Sequence, residues 1–168
     1  MSTLIVYAGK HGCTEDCAKK LAAQLDGDVI MVNLKERKLI DLTQYEKVIV
    51  GGSIYMGRVM KEVSEFCAKN LVALKAKKIG LFICCMYSGE AAETELNSSY
   101  PRELRSIAAA CDYFGGRLRA DRLNFMERFA TKMVAKSEQS LPALDAKGNA
   151  DTVLPEKISH FAQLINQA

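Results

Sequence analysis

Short, unbroken apolar runs alternate along this chain with stretches in which apolar residues recur every three or four positions. Residues 3–7 (TLIVY), 28–33 (DVIMVN), 47–52 (KVIVGG) and 78–85 (KIGLFICC) read as strands covered on both faces. Cys17, Ala18, Leu21, Ala22 and Leu25 share one face of a helix predicted over about residues 14–25. Further helices are expected over about 60–76, over 101–114 with Leu104, Ile107, Ala108 and Cys111 on one side, and over 155–166 with Ile158, Phe161, Ala162 and Ile165 inward. Gly115 and Gly116 suit the end of the third helix, and Pro155 the start of the fourth. A fifth strand, short and rich in arginine, is expected over about 116–123.

Alternating strands and helices without repeat, linker or low-complexity tract predict one α/β domain spanning residues 1–168. Right-handed crossovers with chain reversal at the first strand give a doubly wound, five-stranded parallel sheet of order 2-1-3-4-5, with helices on both faces. Residues 124–153 form an insert between the fifth strand and the last helix, too long for a simple connection. Its first half pairs apolar residues at Phe125/Met126, Phe129/Ala130 and Met133/Val134, an amphipathic helix with Arg128, Lys132 and Lys136 on the other side. Such a helix either covers a patch of core or offers a docking surface to a partner or to membrane headgroups. The second half, SEQSLPALDAKGNAD, reads as irregular loop.

In a doubly wound sheet, ligand belongs at the C-terminal ends of the strands, where three loops converge. The first, AGKHGCT (residues 8–14), leads from strand to helix: Gly9 and Gly12 permit a tight turn, so the amides of Lys10, His11 and Cys13 converge on an anion at the helix N-terminus, and the Thr14 hydroxyl adds a donor. Neither GxGxxG nor GxxxxGK[ST] is present, and a monophosphate fits better than a dinucleotide or nucleoside triphosphate. The second loop holds Ser53, Ile54, Tyr55, Met56 and Gly57; the third begins Met86, Tyr87, Ser88 and Gly89 and runs to residue 99. Tyr55 and Tyr87 suit stacking on a flat aromatic ligand, with Gly57 and Gly89 admitting backbone amides to its edge.

The net charge of +3 makes no case for nucleic acid, yet residues 117–136 carry six basic against two acidic side chains. The six cysteines (13, 17, 67, 84, 85 and 111) form no CxxC pair or zinc-like cluster, and no signal-peptide pattern precedes the first strand, which suits a reducing cytoplasm. Adjacent Cys84 and Cys85 point to opposite faces of a strand and read as small hydrophobes. No apolar run approaches the length of a membrane span.

With these residues in place, the chain resembles the flavodoxin family over nearly its whole length. GKHGCT is similar to that family's phosphate loop, with Gly12 and Thr14 matching, and GGSIYMGRVMKEVSEF resembles its second loop. The resemblance implies a flavodoxin-like fold and bound FMN, with phosphate at Gly9 to Thr14 and the isoalloxazine between the loops of Tyr55 and Tyr87. Where the family places hydroxyls, this chain has Gly9, Lys10 and His11, so cationic side chains join the amides. The insert, GRLRADRLNFMERFATKMVAKS, resembles the branch that includes bacterial menaquinone-dependent protoporphyrinogen oxidase. That implies either an electron carrier with a redox partner protein or a quinone-linked flavoenzyme with peripheral membrane contact through the basic insert. No His or carboxylate of the recognised loops stands out as a general base.

Overall fold

The computed structural model describes residues 2–37, 39–137 and 141–168. Strand β1 (Ser2–Ala8) lies inside the sheet, parallel to β2 (Asp28–Asn33) on one side and to the central β3 (Lys47–Tyr55) on the other; β3 is followed by β5 (Lys78–Cys84) and then β6 (Ala110–Tyr113). The two residues of β4 (Arg58–Val59) fold back antiparallel on β3, so the parallel order is β2-β1-β3-β5-β6. This is the expected doubly wound arrangement with its fifth strand moved.

Period 2 along each strand divides the core in two. Leu4, Val6 and Ala8 face one layer with Val48, Val50 and Leu81, beneath α2 (Lys61–Lys69), α3 (Leu71–Lys75), α4 (Gly89–Ser99) and α5 (Arg102–Arg105). Ile5 and Tyr7 face the other, beneath α1 (Cys13–Ala22) and α7 (Pro155–Gln167). In that second layer Phe82 stacks on Phe114 with ring centroids 4.6 Å apart, and Phe161 meets both edge-on. The Phe82 ring lies over Gly51, where an added Cβ would fall 2.0 Å from it.

Four expectations are corrected. The predicted fifth strand over 116–123 is instead the two-residue β7 (Arg117–Leu118), paired antiparallel with β8 (Ala150–Asp151) in a separate small sheet. The true fifth strand is β6, inside the stretch expected as helix 101–114, of which only α5 is helical. Alanine-rich AAACDYF has helical spacing and propensity, but pairing of Ala110 through Tyr113 with β5 outweighs both. The third loop is also largely helical: α4 places Ala92, Leu96 and Ser99 inward at helical spacing, a pattern masked by its polar composition. The helix expected over 60–76 divides at Asn70, whose side-chain amide donates to the Phe66 carbonyl at 2.9 Å.

Since the sheet ends at Tyr113, the excursion before α7 begins earlier than expected. Its base is tied by β7 and β8 and by bonds from the amides of Thr152 and Leu154 to the carbonyls of Gly116 and Phe114, at 2.8 and 2.9 Å. Helix α6 (Phe125–Ser137) forms as expected, whereas residues 138–140 and the side chains of Lys132, Val134 and Lys136 lie outside the described residues.

Candidate functional site

The C-terminal edge of the sheet and the excursion enclose a cleft of about 460 Å³, within the size range of small-molecule sites. Lys10, His11, Cys13 and Thr14 line it from the first loop, Ser53, Ile54, Tyr55, Met56 and Gly57 from the second, and Met86 and Tyr87 from the third. Gly9 and Gly12 shape the first loop without lining the cleft. Gly12 precedes α1 at φ 90°, and a Cβ there would fall 2.8 Å from an Arg122 nitrogen; one on Gly9 would fall 2.9 Å from Thr14 Oγ1. Ser88 and Gly89 stand at the start of α4, away from the lining.

The second loop is a hairpin turn between β3 and β4 with Met56 at φ 52° and Gly57 at φ 72°. Two consecutive positive φ angles match the twist of the flanking strands, but Met56 adopts a backbone conformation that costs a β-carbon-bearing residue. The turn projects Met56 into solvent and leaves Tyr55 against the cleft.

Two buried hydroxyls, Thr14 Oγ1 and Ser53 Oγ, have no hydrogen-bond partner among the described residues. An unsatisfied buried polar group is costly, and both residues line the same cleft.

The roof comes from the excursion, which the sequence reading left out of the site: Arg117, Leu118, Leu123, Glu127, Ala130 and Thr131 line the cleft, as do Leu141, Pro142 and Leu144. Asn124 and Glu127 form a reciprocal cap on α6, the Glu127 amide donating to Asn124 Oδ1 at 2.8 Å and the Asn124 amide to Glu127 Oε2 at 2.9 Å. The other oxygen of the Glu127 carboxylate pairs with Lys10 and accepts from the Tyr55 hydroxyl at 2.9 Å, while the Lys10 ammonium sits 3.7 Å above the Tyr55 ring. One carboxylate therefore joins α6, the first loop and the second loop. The Lys10 hydrogen bond, helped by the Asn124 amide, lowers the Glu127 carboxyl to about 2. Burial lowers the His11 imidazole, with Glu127 opposing it from 3.8 Å. Arg122 donates to the His11 carbonyl at 2.8 Å. N-x-x-E at the start of α6, enclosing its first apolar pair, is the sequence signal for Glu127.

On the side of α6 away from the cleft, Phe125, Met126, Phe129 and Met133 are all more than half exposed. Among the described residues, no helix is long and apolar enough to cross a membrane.

An inner strand delivering a glycine-containing loop to a helix N-terminus, beside a cleft flanked by tyrosines, defines a flavodoxin-type architecture. Residues 4–143 match the family model described as flavodoxin domain, and the chain belongs to that family. It is 25% identical over 144 residues to protoporphyrinogen IX dehydrogenase [quinone] of Escherichia coli strain K12, an alignment covering 81% of this chain and 80% of that protein. The fold is similar to two-electron reduced Megasphaera elsdenii flavodoxin, at TM-score 0.59 and 19% identity with 99% of each chain covered. It is also similar to Fusobacterium nucleatum flavodoxin bound to flavin mononucleotide, at TM-score 0.51 and 15% identity over 99% of this chain and 97% of that one.

Proposed function

We propose that this chain binds FMN in the cleft and works as an electron-transferring redox protein. The observation that carries the reading is the buried, unpartnered Thr14 hydroxyl at the mouth of α1, where a phosphate oxygen would satisfy it. The residues present suit the group: the backbone of Gly9 to Thr14 wraps the positive end of a ten-residue helix, and Arg122 brings a positive charge against the same loop through its bond to the His11 carbonyl. Ser53 offers a second unpartnered hydroxyl beneath the second loop. Tyr55 and Tyr87 offer flat faces to an aromatic ring, and the Tyr55–Met56–Gly57 turn brings backbone groups to the same end of the cleft. FMN, when bound, supplies the one- and two-electron chemistry. The chain binds and orients it, and the roof built from α6 limits water on one side.

Titrating flavin-free protein with FMN tests this. Flavin fluorescence should be quenched with one-to-one stoichiometry at micromolar concentrations. Absence of quenching, with thermal protection by some other phosphate compound, overturns the assignment.

A second reading is favoured by the exposed apolar strip on α6 and by the quinone-linked relative: a flavin-dependent dehydrogenase passing electrons from a porphyrinogen to a quinone at a membrane surface. Porphyrinogen oxidation supported by menaquinone, with co-sedimentation on anionic vesicles that weakens in the double variant Phe125→Ser, Phe129→Ser, separates it from a carrier that reduces a partner protein. Absence of both effects leaves the carrier.

A further inference from the structure

Three thiols that the flavin reading does not use lie together beside the cleft. Cys13 is the first residue of α1, Cys17 follows one turn later, and Cys84 ends β5; their sulfur atoms all lie within 4.8 Å of one another. Cys17 and Cys84 are buried, at 1% and 3% exposure, whereas Cys13 is half-buried; Cys13 and Cys84 both line the cleft and Cys17 lies behind them. Hydrogen bonds from Cys17 and Cys84 lower the Cys13 thiol, against its burial and with help from Arg117, while the same hydrogen bond raises Cys17. A helix N-terminus adjoining an arginine is an environment in which thiolate is stabilised. The arrangement is one reachable nucleophilic sulfur backed by two protonated ones.

We propose that Cys13 is a peroxide-reactive thiol whose oxidised form is captured by Cys84 as an internal disulfide. The Cys13 thiolate attacks one oxygen of hydrogen peroxide; an S–O bond forms and the O–O bond breaks. Sulfur is oxidised by two electrons, and the departing hydroxide takes up a proton and leaves as water. The Cys84 thiol then attacks the sulfenic sulfur, the S–S bond replaces the S–O bond, and the hydroxyl group leaves as water with the Cys84 proton.

Cys84 is the resolving partner because helix geometry disfavours Cys17. Side chains at i and i+4 have Cβ atoms about 5–6 Å apart, whereas a disulfide requires about 3.5–4.5 Å. A Cys13–Cys17 bond would unwind the first turn of α1. Cys84 belongs to a different element and approaches without that cost. None of this requires flavin.

Peptide mapping of the reduced, flavin-free protein tests it. The protein is treated with hydrogen peroxide near neutral pH, alkylated and digested without reductant. A Cys13–Cys84 peptide should accumulate at a rate at least about tenfold above oxidation of exposed Cys111. Cys13→Ser should abolish the linkage. Cys84→Ala should leave a sulfenic acid at Cys13 that dimedone traps, and if that core variant fails to fold, a brief peroxide pulse with dimedone on the unaltered protein should label Cys13 before the disulfide forms. Oxidation of Cys111 ahead of Cys13, or linkage of Cys13 to Cys17, overturns the proposal.

Discussion

Removing the Glu127 carboxylate should loosen the roof of the cleft while leaving the sheet intact. Glu127→Ala deletes the Lys10 ion pair, the Tyr55 hydrogen bond at 2.9 Å and half of the α6 cap. The Lys10 side chain is 32% exposed, so the ion pair contributes about 0.5 kcal/mol. The bond from Tyr55 to a charged acceptor adds about 1.5 kcal/mol and the lost cap about 1 kcal/mol. One carboxylate serves all three, so the effects overlap and the net change is about 2 kcal/mol. That is about a thirtyfold rise in local opening, readable as faster amide hydrogen exchange in the first turn of α6 and in residues 9–14 at pH 7. Glu127→Gln keeps hydrogen-bonding capacity and should lie between the two. The sign with pH follows from the lowered carboxyl, held at about 2 against an ordinary 4.5. The stabilisation is fully present above about 4.5 and is lost as pH falls through about 2. The difference in thermal midpoint between wild type and Glu127→Ala should accordingly shrink across that window. Equal exchange in the two proteins at pH 7 refutes the reasoning.

Gly12→Val should weaken FMN binding more than Thr14→Ala in the same fluorescence titration, since it forces a branched side chain into φ 90° and against Arg122, whereas Thr14→Ala removes one hydroxyl; the opposite ranking would refute the loop geometry. Met56→Asn should raise thermal stability by up to about 1 kcal/mol, because asparagine tolerates the left-handed backbone better and Met56 is 77% exposed; a loss in denaturant unfolding contradicts the strain. Phe82→Ala should cost about 3–5 kcal/mol in the same measurement, because its fully buried ring stacks on Phe114 and fills the space over Gly51.

The sheet was legible wherever a strand is apolar on both faces: β1, β2, β3 and β5 are each recognisable as runs, and parallel pairing follows from the helices between them. At the edge the same logic failed. β6 is short, half of it is Ala-Cys, and only the presence of β5 beside it decides between strand and helix. The glycine turn of the first loop and the Tyr55–Met56–Gly57 turn have local causes in the sequence, whereas most of the third loop folds as α4, which its polar composition concealed. Glu127 and Arg117 were not placed in the site, since what brings them there is the return of a long excursion across the strand ends. The basic character of residues 117–136 likewise said nothing of pairing: Arg117 is taken up by Asp16 and Asp151, each at 2.9 Å. The thiol cluster leaves no spaced motif in the sequence because its third member, Cys84, comes from a distant strand.

The pairing of β7 with β8 has an architectural consequence. Leu118 and Ala150 stand opposite one another in an antiparallel ladder, so the backbone departs and returns at neighbouring points. A two-residue hairpin turn would bridge them, making everything between a detachable cassette. Excising it would strip the ceiling from the cleft and leave Phe114, Leu154 and the layers beneath undisturbed. A scaffold built this way can exchange one ceiling for another, altering what gains entry, provided each new ceiling replaces the contacts that Glu127 and Arg122 make with the first and second loops.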